Sequence, residues 1–400
     1  MSIFTNKKLG RLAVAGLLFT SFCIISCGNP AGGSSSDTDD TKTTEENKTT
    51  EETKEAESKV TLEYPYTSSE LESVKTNIKE AFKQFNMTTT VKAFLPSPAA
   101  PADDLAKDCK YTLLENYEQV LWLDKDSNIV YYYNPQKDKI IMTLGTNGLM
   151  LFYGCIELEE VDLSGFDTRD AYKFEQMFMD CKKLKKVTFG DYLRTDKVNS
   201  MVKMFKNCES LESVVLKSSS DTDPVMDCKN LTTMEEMFKG CKALKEVTLD
   251  FHTPAVETMR ALFEDCKSLE KVTFGRHFGV FNHAKYVNYA VMFACCESLE
   301  SIDLTNFDLN ETVGGNNVDG GFYQMFQDCT KLKTIFTKAD TDLYNRDNKK
   351  KIPADDLVGG CTSLEGGNGT KYEEGAKDKK DYLRVDTADK PGYFTAKTEA

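Results

Sequence analysis

From residue 151 onward, apolar residues return in a single frame. Its first copy reads Leu151-Phe152-Tyr153-Gly154-Cys155-Ile156-Glu157-Leu158-Glu159-Glu160-Val161-Asp162-Leu163, and the cysteine recurs at Cys181, Cys208, Cys241, Cys266, Cys296, Cys329 and Cys361. Four residues before each cysteine stands Met or Leu, and three before stands Phe, save Val358 in the last copy. Three after stands Leu every time, and six after stands Val or Ile until Gly367 ends the series. Through the cysteine the apolar steps are three and four, as in Val198, Met201, Met204, Cys208 and Leu211, the spacing of one face of a helix or 3₁₀ turn. The step then shortens to two, as in Val187 and Phe189 or Val247 and Leu249, which predicts a short strand with one side inward. Cysteine intervals of 25 to 33 residues lie in the range of leucine-rich-type units. No such unit buries its apolar face alone, so neighbours must stack. The expected fold class is an α/β repeat solenoid, with a parallel sheet on one side and helical turns on the other.

Upstream the pattern differs. Thr67-Ser68-Ser69-Glu70 fits a capping box, and Leu71, Val74, Ile78, Phe82 and Phe85 follow at helical spacing, predicting an amphipathic helix that ends near Asn86. Pro96, Pro98 and Pro101 predict a loop. Val120–Leu123, Ile129–Tyr133 and Ile140–Leu144 are apolar or aromatic runs separated by turn residues, which predict a three-stranded meander capping the first coil. At the other end, Tyr393 and Phe394 are expected to cover the last coil as a C-terminal cap. The resulting division is 1–26 leader, 27–59 tether, 60–150 helix, loop and N-terminal cap, 151–365 eight repeats, and 366–400 C-terminal cap.

The leader carries Lys7, Lys8 and Arg11 before an apolar run from Leu12 to Ile25. That run is too short for a stable membrane span and has the order of a signal peptide. Ile24-Ile25-Ser26-Cys27 resembles a bacterial lipobox, which implies acylation of Cys27 and anchoring to a bacterial membrane at the cell surface. The competing reading is an ordinary cleaved signal with an incidental cysteine. Residues 28–59 hold nine acids and four bases without an aromatic residue, a composition that cannot order itself by burial. The whole chain has a formal charge of −14, and such acidity repels nucleic acid.

Candidate chemistry is sparse. The three histidines, His252, His277 and His283, form no metal-binding pair motif, no cysteine has zinc-finger spacing, and no nucleophile elbow or phosphate-binding glycine loop is present. Asp340-Thr341-Asp342 hints at a calcium loop, but Asn345 and Lys351 stand where its glycine and bidentate glutamate belong. No catalytic residue, metal or cofactor is therefore expected. The cysteine ladder predicts buried free thiols, because helical layers about 8–10 Å apart are too distant for disulfides; Cys→Ser is expected to cost more than Cys→Ala there. Cys109, Cys228 and Cys295 fall outside the frame. Binding, if any, should use the outward strand residues Asp162, Thr188, Val215, Thr248, Thr273, Asp303 and Phe336, a polar ladder roughly 30 Å long at about 5 Å per strand. Threonine there is also simply a good exposed strand former.

The Met-Phe-x-x-Cys-x-x-Leu-x-x-Val frame, with Gly366-Gly367-Asn368-Gly369-Thr370-Lys371-Tyr372 and Pro391-Gly392-Tyr393-Phe394-Thr395 at the end, resembles the BspA-type leucine-rich-repeat surface proteins. The resemblance covers roughly 120–395. It implies a cell-surface protein of a host-associated bacterium with no catalytic motif; some members of that family adhere to host matrix and plasma proteins, and many have no known ligand. The expected partner here is a host or bacterial surface protein or glycan. Inserts at Lys217–Lys229, Phe274–His283, Asn310–Gly321 and Lys338–Ile352 depart from that family's regular spacing. A spacer lipoprotein without a specific ligand remains the alternative.

Overall fold

The computed structural model describes residues 63–397 apart from 138–141, 191, 218–225, 282–286, 308, 311–320, 344–356 and 375–378. Cys27, the leader and the tether lie outside the described residues. Helix α1 spans Ser68–Gln84. Thr67 caps it: its Oγ1 accepts from the Glu70 N–H while the Glu70 carboxylate accepts from the Thr67 N–H, the reciprocal box read from the sequence. Val74, Ile78, Ala81 and Phe82 form its buried stripe.

The strands are β1 Ala93–Pro96, β2 Lys110–Leu114, β3 Gln119–Asp124, β4 Ile129–Tyr133, β5 Met142–Thr143, β6 Glu160–Leu163 and β7 Phe166–Asp167, followed by β8 Lys186–Phe189, β9 Ser213–Lys217, β10 Glu246–Asp250, β11 Lys271–Phe274, β12 Ser301–Asp303, β13 Thr334–Thr337 and β14 Phe394–Ala396. The described chain is therefore mostly parallel β-structure with few helices. Two N-terminal expectations change. The prolines do not exclude a strand: β1 ends on Pro96 and pairs in parallel with both β4 and β6. Proline has no N–H to give the ladder, and the Ser97 amide donates to the Tyr132 carbonyl in its place at 2.8 Å. The third meander strand also leaves the hairpin, since β5 pairs in parallel with β7 instead. Strands β2, β3 and β4 form the antiparallel part, and β1 joins it to the first repeat.

Each repeat contributes one short strand whose inward residues alternate with outward ones, as in β6 and β10. The opposite layer is where the helical expectation fails. Among the described residues of 151–365 there is no helix. The layer is a stack of turns in which odd and even amides go to different partners. Phe174, Gln176, Phe178 and Asp180 donate to Ser200, Val202, Met204 and Lys206 of the next coil, while Met177, Met179 and Cys181 donate three residues back within their own. The same four-bond register recurs from Met201, Lys203, Phe205 and Asn207 to Thr233, Glu235, Met237 and Lys239, and onward. A helix would consume all these donors internally. Here the chain turns out of helical geometry at two places per coil, for example Gln176 (φ 55°) and Asp180 (φ 63°), or Lys203 (φ 57°) and Asn207 (φ 60°). These left-handed residues aim alternate amides at the neighbouring coil.

The core runs through the stack as aligned side-chain columns. Phe152, Phe178, Phe205, Phe238, Phe263, Phe293 and Phe326 stack ring on ring at 5.2–5.4 Å. Phe82 of α1 and Phe94 of β1 close the first ring at 5.2 and 5.4 Å, so helix and β1 together form the N-terminal cap. The C-terminal cap is built around Asp386, 7% exposed. Its carboxylate accepts from the Asn368, Thr370 and Gly392 amides and the Thr370 hydroxyl. Tyr393 packs on Tyr372 and Tyr382, and β14, a strand the sequence did not announce, extends the sheet beside β13.

Candidate functional site

The predicted outward row exists, in pieces. Asp162 faces Thr188, Val215 faces Thr248, Thr248 faces Thr273, and Asp303 faces Phe336, which continues to Thr395. Residues on either side of them in sequence point inward: Val161, Leu163, Val247 and Leu249 are no more than 2% exposed. The expected unbroken ladder is corrected at two junctions, because β8 is not paired with β9, nor β11 with β12. The second break is bridged. Asn306 Nδ2 donates to the Gly275 carbonyl at 2.8 Å, and Phe274 meets Phe307 edge-on at 5.0 Å. At the first, β8 and β9 stand more than 8 Å apart over most of their length, and among the described residues no hydrogen bond joins Lys186–Phe189 to Ser213–Leu216.

The row's members differ in availability. Val215 is 64% exposed, and Thr273 is exposed. The aspartates are engaged. Asp162 Oδ1 accepts from the Ser164 amide at 2.8 Å. Asp303 accepts from the Thr305 amide and hydroxyl and pairs with Lys397. Burial would raise the Asp303 carboxyl, but the bonds from Lys397 and Thr305 outweigh it and hold the group below the usual carboxylate range. These two residues therefore hold turns and the C-terminal strand, and the threonines with Val215 form the accessible part.

Charged rows flank this face. Lys183, Lys185 and Lys186 pair with Glu157, Glu159 and Glu160 one coil earlier, at 2.6–2.7 Å. Lys245 pairs with Glu212 at 3.2 Å, and Lys333 with Glu300 at 2.8 Å. Four residues after the frame cysteine, the sequence runs Glu159, Lys185, Glu212, Lys245, Glu270, Glu300, Lys333. Alternation fails only between Glu270 and Glu300, at the β11–β12 junction. The hydrogen bond from the partner lysine, with its charge, lowers the Glu159 and Glu300 carboxyls.

Inside, the frame cysteines have a role that spacing did not show. From Cys181 to Cys361, each thiol lies 3.0–3.2 Å from the carbonyl of the phenylalanine in the preceding coil: Phe152, Phe178, Phe205, Phe238, Phe263, Phe293 and Phe326. The same carbonyl accepts the backbone N–H of its own coil's cysteine, so both its lone pairs are used. Burial pushes the Cys208 and Cys266 thiols far above their ordinary range. Cys228 is also buried, with Sγ 3.4 Å from Thr195 Oγ1, and burial pushes it up to about 12. Cys109 is buried in the N-terminal cap, and Cys295 occupies a left-handed turn position at φ 61°.

His277 stacks edge-on against His252, ring centroids 4.3 Å apart, beside the end of β10; His283 lies outside the described residues. The Arg276 Nε donates to His277 Nε2 at 2.8 Å, which engages one of the two ring nitrogens. Among the described residues no group of three or more His, Cys, Asp or Glu could hold a metal ion. Asp340 and Thr341 are used by the fold: the Asp340 carbonyl accepts from Asn310 Nδ2 and the Thr341 carbonyl from the Val385 amide. A cleft of about 550 Å³ on the outer face of the N-terminal sheet, floored by Val120 and Tyr133, had no sequence signature. Among the described residues no helix is long and apolar enough to cross a membrane.

A family model described as "Mycoplasma protein of unknown function, DUF285" matches residues 146–227 and 217–339. A search of curated proteins finds no match. Among solved structures, a leucine-rich repeat protein from Eubacterium ventriosum is similar at 16% identity, over 62% of this chain and 55% of that one, with a TM-score of 0.27. The chain thus spans about half the length of that structure. The two family matches overlap in 217–227, which begins at the last residue of β9.

Proposed function

We propose that this chain is a lipid-anchored bacterial surface protein whose repeats form a solenoid that binds a protein or glycan partner through its sheet face. The observation that carries the reading is the threonine-rich outward row around Val215, an exposed valine set among residues that are neither uniformly charged nor engaged in turns. Threonine offers a hydroxyl and a methyl together, which suits peptide or saccharide surfaces better than ions. The BspA-type resemblance agrees with adhesion to a host or bacterial surface. No catalytic step, metal or cofactor is part of the proposal, and the acidic surface makes nucleic acid an unsuitable partner.

The test uses the mature chain against immobilised matrix proteins and a glycan array. Thr248→Lys with Thr273→Lys is the diagnostic variant, because Asp162 and Asp303 also hold the fold. Binding at least tenfold weaker in that variant, with unchanged circular dichroism, is the expected result; unchanged binding removes the face from consideration. The anchor is tested separately. Cys27→Ala should move the protein from the membrane fraction to the soluble one, and a mutant that stays membrane-bound is held elsewhere.

A second reading, a spacer without a specific ligand, draws on the flanking charged rows. Lysines and glutamates of these rows pair between neighbouring coils, so the rows themselves offer little free charge to a partner. No retention on any matrix protein or glycan would favour it.

A further inference from the structure

The junction between β8 and β9 differs from every other one in a way that repeats do not require. On the turn side it is intact. Phe178 and Phe205 stack at 5.2 Å, the Cys208 thiol reaches the Phe178 carbonyl at 3.1 Å, and Phe174, Gln176, Phe178 and Asp180 make their four bonds to the next coil. On the sheet side the two strands part. The result is a wedge, closed at the turns and open at the sheet.

Its walls are apolar and incompletely covered. Val187 and Phe189 on β8 and Val214 on β9 occupy inward positions, yet they are only half-buried, while Leu216, the other inward residue of β9, is covered. Their equivalents Val161 and Leu163 in β6, and Val247 and Leu249 in β10, are 0–2% exposed. Both rims are strand edges. Strand β8 is bonded to β6 on one side only, and β9 to β10 on one side only. Unpaired edges of this kind are templates for another strand. Paired strands sit about 4.8 Å apart, so a slot for one extra strand must open to about 10 Å. A separation beyond 8 Å is of that order. The rim charges are already matched: Lys185 and Lys186 take Glu159 and Glu160, and Glu212 takes Lys245.

We propose that the wedge between β8 and β9 receives an extended segment of a partner protein, uncharged and apolar at alternate positions, as an added strand bonded to both edges. Its inward side chains would complete the cover over Val187, Phe189 and Val214, and its outward ones would lie flush with Thr188 and Val215. This goes beyond the binding reading above: it adds a second docking place beside the threonine row and names the chemistry that would fill it. Main-chain bonds supply affinity in such additions, and alternate pockets supply specificity.

A phage-displayed library of random twelve-residue peptides, panned on the mature chain, tests it. Enriched peptides should alternate apolar and polar residues. They should bind at least tenfold more weakly to the Val187→Glu/Val214→Glu variant, and about equally well to the Thr248→Lys/Thr273→Lys variant. Because the first variant could also disturb folding, amide exchange is followed in the unmodified chain. The β8 and β9 amides should exchange faster than those of β10 in the free protein and slow at least tenfold when an enriched peptide is bound. Failure to enrich an alternating pattern, or β8 and β9 amides as slow as those of β10 without peptide, overturns the slot. Binding lost in the Thr248/Thr273 variant but kept in the Val187/Val214 variant overturns it while leaving the face reading in place.

Discussion

The choice of cysteine at the repeated position is explained by one atom. A small apolar residue would fill the space, but only a side chain with a donor also serves the second lone pair of the preceding phenylalanine carbonyl. Thiols are weak donors, so each bond contributes a fraction of a kcal/mol and the burial contributes more. Cys208→Ala should lower unfolding free energy by about 1–3 kcal/mol, and Cys208→Ser should cost no more than that. The serine hydroxyl inherits the Phe178 carbonyl as acceptor, which reverses the order expected from burial alone. Denaturant titration of the two variants checks it. Raised thiol pKa values should also make native-state alkylation of Cys208 and Cys266 slow even in mildly alkaline buffer. The positions before the cysteine were illegible for a different reason. Left-handed backbone is usually announced by Gly, Asn or Asp, and Gly154, Asp180, Asn207 and Gly240 do announce it. Gln176, Lys203, Ala261 and Val291 adopt it without warning. A β-branched residue is least suited to that region, so Val291→Asn should raise stability by about 0.5–1 kcal/mol. Gly240→Ala should lower it by about 1–2 kcal/mol, since the φ is 75° and the new Cβ would lie 2.5 Å from Asn207 Oδ1. Thermal melts of the two variants should move in opposite directions.

Among elements, α1, β3, β4 and the repeat strands were legible; β1, β2, β7, β14 and the hydrogen-bonding of the turn layer were not. Steps of three and four residues mark a helix only if the amides bond four residues back; overlapping turns with bonds three back produce the same apolar spacing. The pattern in Met201, Met204 and Cys208 cannot distinguish them. Strand β1 was hidden by Pro96, which ends it. The C-terminal cap was recognisable from Tyr393 and Phe394, but its hub is polar. Burial raises the Asp386 carboxyl, while bonds from Thr370, Asn368 and Gly392 lower it further, so its folded pKa lies below the ordinary value. A depressed acid contributes stability above its unfolded pKa of about 3.9, and the contribution is lost as pH falls through the folded value. Exchange of the Thr370 and Gly392 amides should therefore accelerate below about pH 4, and Asp386→Asn should weaken the cap at pH 7 and flatten that dependence. A cap whose acid sensitivity is unchanged in the variant would place the titrating group elsewhere. The charged row predicts its own test. Lys245→Glu would set a third acid between Glu212 and Glu270. The cost should be small, about 0.5–1 kcal/mol, as expected for surface charges, and 1 M salt should remove most of it.

At the scale of the whole molecule, the described residues belong to one unit spanning Lys59–Ala400, yet the backbone bonds between coils of the turn layer join each coil to its immediate neighbour. The core columns were readable because each copy states the same pattern. The breaks in the sheet were not, because Val187 and Val214 have the same identity and spacing as their buried counterparts. What differs is the distance between strands, which no single repeat encodes. The neighbour-only bonding has a mechanical consequence. Pulled from its two ends, the stack bears load through one interface at a time, so it should lengthen as a fuse of successive links rather than rupture once. Each link should release a coil of 25–33 residues, or about 85–110 Å of extended chain. The interface between β8 and β9, held only on its turn side, should yield at the lowest force. An optical-trap record showing one all-or-none extension would contradict this. A train of steps would identify the chain as a tether able to lengthen under flow while most of its coils keep their grip.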